Sequence, residues 1–133
     1  MNDGLQDCVL VVDDEFLIAQ TLSIQIEDMG LTVCGTAATA ADAIALAKAQ
    51  RPRLVLMDMR LKGEGDGVDA ALAIHEFVGS KVIFITASRE PAMLERMNQD
   101  HPAAILYKPV FGRQLQTVVR EVLAADYTSG TRF

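Results

Sequence analysis

The sequence predicts an α/β fold in which a five-stranded parallel sheet carries helices on both faces. The first observation is an alternation along the chain, in which short β-rich apolar runs take turns with longer segments of helical periodicity. The second is that runs such as Cys8–Val12 are apolar throughout, as strands buried on both faces are. Five such strand–helix units in series favour right-handed crossovers and a doubly wound sheet.

The first two units each pair a strand with a helix. The predicted strands are Cys8–Val12 and Leu31–Gly35. The first helix has a single apolar face, formed by Ile18, Leu22, Ile26 and Met29. The second helix is rich in alanine, and Thr39 precedes Asp42 by three residues, which is an approximate capping box. Pro52 ends this helix, because proline cannot continue it.

The remaining three units follow the same pattern. The third strand, Leu54–Met57, precedes a glycine-rich loop and a helix over Val68–Val78. The fourth strand, Val82–Ile85, precedes a helix that begins near Pro91, a residue suited to a first turn. The fifth strand is predicted over Ala104–Tyr107. The last helix is strongly amphipathic, with apolar positions at Phe111, Leu115, Val118, Val119, Val122 and Leu123.

Length and charge limit the function classes. The 133 residues suit one domain, which we expect over residues 1–126, followed by a polar C-terminal tail over 127–133. The balance of 12 basic and 18 acidic residues argues against direct binding of nucleic acid. No apolar stretch approaches the roughly 18 residues of a membrane span. The N-terminus lacks the basic region of a signal peptide, so we expect a cytoplasmic protein that does not bind membranes.

Several residues that could carry chemistry are better explained by packing. Cys8 and Cys34 are too few for a disulfide scaffold, and both lie in apolar runs, so we expect buried thiols in a reducing compartment. His75 lies in a helix far from the carboxyl ends of the strands. Met93 and Met97 share a face of the fourth helix, where core packing is the default and an adaptable partner surface is the alternative.

Polar side chains follow four of the five predicted strands. In an open α/β sheet, functional sites form beyond the carboxyl ends of the strands. The residues at these ends are Asp13, Asp14 and Glu15 after the first strand, Asp58 after the third, Thr86 after the fourth and Lys108 after the fifth. The sequence therefore gathers carboxylates, a hydroxyl and an ammonium group at one edge of the sheet.

Each of these residues has an ordinary explanation. An aspartate after a strand is often a turn residue or helix cap, and acidic residues are favoured in the first turn of a helix. Those explanations do not account for the clustering of all the polar residues at strand ends. Carboxylates in close proximity repel one another, and a hard cation such as Mg²⁺ relieves that repulsion.

The combination suits phosphoryl transfer to a carboxylate. Asp13 and Asp14 would be the metal-binding acids, and Asp58 the nucleophile that accepts the phosphoryl group. Lys108 and Thr86 would contact the phosphoryl oxygens.

These residues occur in an order that resembles the receiver domain of bacterial two-component response regulators. The resemblance runs from about residue 8 to residue 123. It is carried by Val11-Val12-Asp13-Asp14-Glu15, Leu56-Met57-Asp58, Ile85-Thr86-Ala87 and Lys108-Pro109. The family implies the strand order 2-1-3-4-5.

The resemblance also implies a role for each matching residue. Asp58 corresponds to the phosphoacceptor, and Thr86 and Lys108 to the pair that senses the phosphate. Mg²⁺ is the implied cofactor, with Asp14, Asp58 and the backbone carbonyl of Arg60 as direct ligands and Asp13 as a ligand through water. The Lys108–Pro109 peptide bond corresponds to a cis bond in the family.

One position departs from the family pattern. Three residues before the lysine, many members have a tyrosine or phenylalanine that rotates on activation, and this chain has Ile105. A β-branched isoleucine has few accessible rotamers and no polar tip to reorient. Strand alternation places Tyr107 on the same face, which makes it the candidate substitute for the missing switch residue.

The resemblance implies a phosphorylation-controlled signalling switch and no enzyme, with catalysis confined to its own phosphorylation and dephosphorylation. The implied donor is a sensor histidine kinase or a histidine phosphotransfer protein, and the downstream partner is not indicated. A homodimer through the fourth helix, fifth strand and fifth helix is a further expectation. Because the sequence ends soon after the fifth helix, we expect no output domain within it.

Two alternatives belong to other function classes. The first is a binding module with the receiver fold that is never phosphorylated, against which the complete set of polar residues counts. The second is a phosphatase of the haloacid dehalogenase type, which also uses an aspartate nucleophile with Mg²⁺. Such enzymes need a second aspartate two residues further on, where this chain has Arg60.

Overall fold

The computed structural model describes the backbone of residues 4–131 and the side chains of residues 4–125. The strands are β1 (Gln6–Val12), β2 (Thr32–Ala37), β3 (Pro52–Met57), β4 (Lys81–Thr86) and β5 (Ala104–Tyr107). The helices are α1 (Phe16–Asp28), α2 (Ala40–Gln50), α3 (Gly67–Phe77), α4 (Pro91–Asn98) and α5 (Gly112–Thr131). Strands and helices alternate, and the strands form a single parallel sheet in the order β2-β1-β3-β4-β5. The predicted fold class and strand order are confirmed.

Several strand boundaries differ from the prediction by one or two residues, and two of these differences have a clear physical reason. β2 continues to Ala37, because Val12 of β1 still pairs with it at the end of the sheet. β3 begins at Pro52, which the sequence assigned only to the end of a helix. Proline is tolerated as the first residue of a strand, where its missing N–H does not interrupt the pairing.

The two faces of the sheet bury separate apolar clusters. Alternate residues of β1 illustrate the division, since Leu10 and Val12 face α2, α3 and α4 while Val9 and Val11 face α1 and α5. The strands are therefore buried on both faces, as their continuous apolar sequences predict.

Both cysteine thiols are free. Cys8 is buried, and Cys34 is half-buried on the neighbouring strand. Burial and the contact with Cys8 raise the pKa of the Cys34 thiol to about 12. Because the thiolate is the reactive form of cysteine, Cys34 is unreactive at neutral pH.

Side-chain caps fix the starts of α2 and α3. The Thr39 hydroxyl accepts a hydrogen bond of 3.0 Å from the Asp42 backbone, which confirms Thr39 as the cap of α2. Asp66 and Asp69 form a reciprocal capping box in which both hydrogen bonds measure 2.9 Å. This box starts α3 at Gly67, one residue before the predicted position.

Helix α4 is only shallowly anchored in the core. Met97 is its one buried side chain, while Met93 packs half-buried against the same cluster. The side chain of the N-cap residue, Glu90, makes no capping hydrogen bond. The preference for core packing is thus confirmed for Met97, and the position of α4 depends heavily on polar contacts.

Helix α5 continues beyond the predicted domain boundary. α5 extends to Thr131, into the segment 127–133 that the sequence assigned to a tail, while residues 132 and 133 lie outside the described part. The domain boundary at residue 126 stays a prediction. Among the described residues, no helix has both the length and the apolar composition that a membrane span requires.

Gly67 allows the first turn of α3 to lie directly against the end of β3. Its backbone N–H donates to the carbonyl of Met59 over 2.7 Å. A Cβ atom added at this position would overlap the carbonyl oxygen of Asp58 and crowd the backbone of Met59. Only a glycine fits here without a backbone shift, so the position of α3 depends on this contact.

We predict that Gly67→Ala lowers the free energy of unfolding by about 1–3 kcal/mol, because the added methyl group meets backbone and cannot be accommodated by rotating a side chain. Urea unfolding measures the loss. Gly112→Ala is the matched control, since its added Cβ would meet only the side chain of Gln25 at 3.7 Å. The control should change stability by less than about 1 kcal/mol. Equal losses in the two variants would contradict the close-approach explanation.

Candidate functional site

Three carboxylates converge at the carboxyl edge of the sheet. Asp13 and Asp14 follow β1, and Asp58 follows β3. One oxygen from each of the three side chains lies within 4.8 Å of the others. Asp13 is 3% exposed and Asp58 is 6% exposed, while Asp14 is half-buried. The structure thus brings together the three aspartates that the sequence proposed for a metal site.

Backbone hydrogen bonds hold these aspartates in place. The Asp58 N–H donates to the carbonyl of Val12 over 2.9 Å, and the Asp13 N–H donates to Ala37 over 3.0 Å. These bonds continue the sheet one residue beyond each strand. The Asp13 carboxylate also accepts the Glu15 N–H at 2.9 Å, which fixes the turn into α1. The carboxylates are therefore positioned by rigid elements before any ligand is present.

Lys108 follows β5, the strand at one side of the sheet, and its side chain reaches the acidic cluster. Its Nζ lies 2.9 Å from Asp13 Oδ2 and 3.3 Å from Asp58 Oδ2. Burial of the ammonium group opposes its charge, but the hydrogen bond to Asp13 and the charges of both aspartates raise the Lys108 pKa above its ordinary value. The Lys108–Pro109 peptide bond is cis, as the family resemblance implied.

Asp58 is held in an environment unfavourable to its negative charge. Burial and the charge of Asp13 raise its pKa to about 6, against the opposing effects of Lys108 and of a hydrogen bond from the Arg60 backbone. A divalent cation among the carboxylates would offset both the burial and the repulsion. Clustered carboxylate oxygens are the donors that Mg²⁺ prefers, so the residues present fit the predicted cofactor.

Thr86 ends β4 next to the lysine. Its side chain is 1% exposed, and its hydroxyl accepts the Ser88 N–H at 3.1 Å. The Lys108 N–H donates to the Thr86 carbonyl over 2.8 Å, which joins the ends of β4 and β5. The structure places Thr86 at the predicted edge, where its hydroxyl contacts the following loop.

Arg60 lies in the loop between β3 and α3. Its side chain is exposed, and its backbone hydrogen-bonds to Asp58. The metal-ligand role of its carbonyl stays a prediction.

The two residues singled out on β5 have different surroundings. Ile105 is half-buried and packs against the cluster that includes Phe84 and Met97. Tyr107 is also half-buried, and the guanidinium of Arg89 stacks on its ring at 4.3 Å from the ring centre. Arg89 belongs to the loop that follows Thr86, so this contact connects Tyr107 to the edge of the site.

An apolar cavity of about 390 Å³ opens beside Lys108, between α1 and the loop that follows β5. It is lined by Ile18, Thr21, Leu22, Ile85, Lys108, Pro109 and Val110. Three large apolar side chains from the same two segments are exposed: Phe16 at 71%, Leu17 at 76% and Phe111 at 70%. An exposed apolar surface of this kind is typical of a contact site for another protein.

Sequence reasoning missed two parts of the site's surroundings. Nothing predicted that Gly67 would touch the Asp58 carbonyl, although its position after a glycine-rich loop was a usable signal. The approach of Arg96 to Asp66 and Asp69 was also missed, because no spacing rule connects residues about 30 positions apart. The Asp66-Gly-Val-Asp69 spacing itself could have indicated the capping box.

The receiver domain of response regulators matches the sequence over residues 9–120. The phyllosphere-induced regulator PhyR of Methylorubrum extorquens is 32% identical over 116 residues, which cover 86% of this chain and 43% of that protein. The transcriptional regulatory protein PdtaR of Mycobacterium tuberculosis is 32% identical over 101 residues, covering 76% of this chain and 49% of that protein. The chain spans about half the length, or less, of these relatives.

Solved structures show the same likeness. The signal receiver domain of a modulated diguanylate cyclase from Desulfovibrio desulfuricans has a TM-score of 0.86 at 31% identity, covering 92% of this chain and 97% of its own. A CheY-like response regulator receiver domain protein from Methanospirillum hungatei has a TM-score of 0.86 at 25% identity, covering 95% of this chain and 99% of its own.

Proposed function

The chain belongs to the response regulator receiver domain family, and from this premise we propose that it is a phosphorylation-controlled signalling switch whose phosphoacceptor is Asp58. The contact of one ammonium group, Lys108 Nζ, with the carboxylates of both Asp13 and Asp58 is the observation that carries the proposal. The buried Asp58 carboxylate lies beside a positive charge, in a cluster of oxygens that would suit a divalent cation. Those are the requirements for accepting a phosphoryl group.

Phosphoryl transfer would proceed at the Asp58 carboxylate. One of its oxygens attacks the phosphorus of a phosphohistidine, the phosphorus–nitrogen bond breaks, and the electron pair leaves with the imidazole. Asp14, Asp58 and the Arg60 carbonyl would hold Mg²⁺ directly, and Asp13 would hold it through water. When bound, Mg²⁺ supplies positive charge that offsets the negative charge of the transferring group. Lys108 contributes the second positive charge.

The product is an acyl phosphate that changes the demand for hydrogen bonds around it. The Thr86 hydroxyl accepts the Ser88 N–H in the free protein, and it can donate its own hydrogen to a phosphoryl oxygen when the side chain moves toward that oxygen. Such a movement shifts the loop that contains Arg89, which rests on Tyr107. We propose that Tyr107 takes the place of the switch aromatic absent at Ile105, and that α4, β5 and α5 form the surface of change.

The proposed donor is a sensor histidine kinase or histidine phosphotransfer protein. The donor histidine must reach Asp58, so the donor has to bind at the carboxyl edge of the sheet. The exposed Phe16, Leu17 and Phe111 belong to the two segments, α1 and the loop after β5, that also line the apolar cavity beside Lys108. These side chains offer apolar area next to the acceptor, which favours them as the docking surface.

We predict that Asp58 is phosphorylated in a Mg²⁺-dependent reaction with a small phosphodonor such as acetyl phosphate. Intact-mass spectrometry of the purified protein should show the addition of one phosphoryl group, which chelation of Mg²⁺ prevents. Asp58→Asn should remain unlabelled because it lacks the nucleophile. The control Asp28→Asn removes an exposed carboxylate on α1 and should be labelled like wild type.

Equal labelling of Asp58→Asn, or labelling that is unaffected by the chelator, would overturn the phosphoacceptor proposal. A wild-type protein that stays unlabelled by small donors and by every histidine kinase of the source organism would favour the phosphorylation-independent binding module. Turnover of a free phosphate ester would favour the phosphatase alternative.

We also predict that Leu17→Ser slows phosphotransfer from the cognate kinase by roughly tenfold. The substitution removes one apolar side chain from the docking surface, and the loss of one such contact weakens binding by about this factor. Labelling by acetyl phosphate should stay unchanged, because Leu17 does not belong to the carboxylate cluster. Phe77→Ser is the matched control: Phe77 is 56% exposed, but it lies at the far end of α3. A similar loss in both variants, or a loss with acetyl phosphate, would contradict this docking surface.

A further inference from the structure

Arg96 of α4 makes an ionic contact with the first turn of α3. Its Nε donates to Asp66 Oδ2 over 2.8 Å, and its Nη2 donates to Asp66 Oδ1 and Asp69 Oδ1 over 3.0 Å each. Bidentate contacts of this kind between a guanidinium and a carboxylate are strong and geometrically specific. We call Asp66, Asp69 and Arg96 the α3–α4 latch.

The contact with Arg96 favours the ionised form of Asp66. Although partial burial opposes ionisation of Asp66, the hydrogen bonds from Arg96 and from the Asp69 backbone lower its pKa below the ordinary value. The Arg96 side chain is 35% exposed and that of Asp69 is 52% exposed. Salt therefore has access to the latch and can weaken it.

A second polar contact lies just beyond the C-terminal end of α4. The Asp100 carboxylate is fully buried, and its Oδ1 lies 2.7 Å from Nδ1 of His75 on α3. The other end of α4 follows the Thr86 loop, in which Ser88 accepts the Glu90 N–H at 3.3 Å. Three polar regions thus border α4: the buried contact of Asp100 after its C-terminal end, the Thr86 loop before its N-terminal end, and the partly exposed α3–α4 latch within the helix.

The latch reaches the candidate phosphoacceptor through the start of α3. Asp66 caps α3, and the next residue, Gly67, lies against the carbonyl of Asp58. The Gly67 N–H also bonds to Met59. A displacement of the loop between β3 and α3 will therefore move the two carboxylates that hold Arg96.

We propose that the α3–α4 latch sets the resting position of α4 and couples it to the loop that follows Asp58. The coupling part rests on the proposed function, because it treats α4 as part of the surface that responds to the site. The latch itself does not depend on phosphorylation. The latch can affect the helix because Met97 is the only side chain that α4 buries, so polar contacts contribute to the free energy that holds this helix.

Hydrogen exchange of the unphosphorylated, metal-free protein tests the latch. Arg96→Met keeps the aliphatic length and removes the charge, and Asp66→Asn keeps a capping oxygen and removes the ionic pair. In both variants the amides of residues 92–100 should exchange about threefold to tenfold faster than in wild type. High salt should speed these amides in wild type and have little effect in Arg96→Met. The control Glu95→Gln, an exposed charge on the same helix, should behave like wild type.

Unchanged exchange in α4 of Arg96→Met would overturn the latch. Acceleration spread equally over all the helices would also overturn it, since that pattern indicates general destabilisation. The combined variant should exchange no faster than Arg96→Met alone, because that substitution already removes the contacts with both Asp66 and Asp69.

Mg²⁺ alone is the probe for the coupling. Added Mg²⁺ should slow amide exchange of residues 92–100 in wild type. The factor by which Mg²⁺ slows this exchange should be at least about threefold smaller in Arg96→Met. An equal response in the two proteins would overturn the coupling. These measurements use protein without acyl phosphate, so a failure to label Asp58 would overturn the proposed function and leave the latch result intact.

Discussion

The arrangement of the site depends on one electrostatic constraint: Lys108 is the cation that balances the buried carboxylates of Asp13 and Asp58. Two nearly unexposed acids side by side would be strongly unfavourable without a positive charge in contact with both. Lys108 satisfies this need at 2.9 and 3.3 Å. It can do so only because β1, β3 and β5 end at the same edge of a parallel sheet. Even so, the pKa of Asp58 remains raised to about 6, so the cluster still favours an added cation.

Direct contacts connect that cluster to other parts of the fold. Gly67 brings α3 against the backbone of Asp58, and the Asp66 cap of α3 holds Arg96 of α4. On the other side, the Thr86 loop carries Arg89 to Tyr107. The carboxyl edge of the sheet is therefore connected to α4 in two ways: through the start of α3, which contacts Arg96, and through the Thr86 loop, which leads into α4. A helix that buries little apolar surface is well suited to respond, because small changes in polar contacts alter its position.

The amino-acid sequence was sufficient to predict the strands, the helices and the edge of the sheet that carries the site, because these follow from repeating patterns. Buried parallel strands have a recognisable composition, and the rule that sites form at their carboxyl ends placed Asp58 and Lys108 at one edge. The family resemblance added the strand order and the cis bond, which no periodicity indicates. The contact partners of Gly67 and Arg96 were not predictable, because they depend on the three-dimensional path of a loop, although the glycine-rich loop before Gly67 was a usable signal. The contact of Tyr107 with Arg89 belongs to the same class.

Binding of Mg²⁺ to wild type and to Lys108→Met is the most direct test of the central electrostatic claim. If Lys108 balances the carboxylates, its removal frees them for the metal, and the dissociation constant for Mg²⁺ should fall by at least about threefold. Titration followed by backbone NMR shifts gives both constants. Lys81→Met, which removes an exposed charge at the opposite end of the sheet, should leave the affinity unchanged. An unchanged or weaker affinity in Lys108→Met would contradict the account.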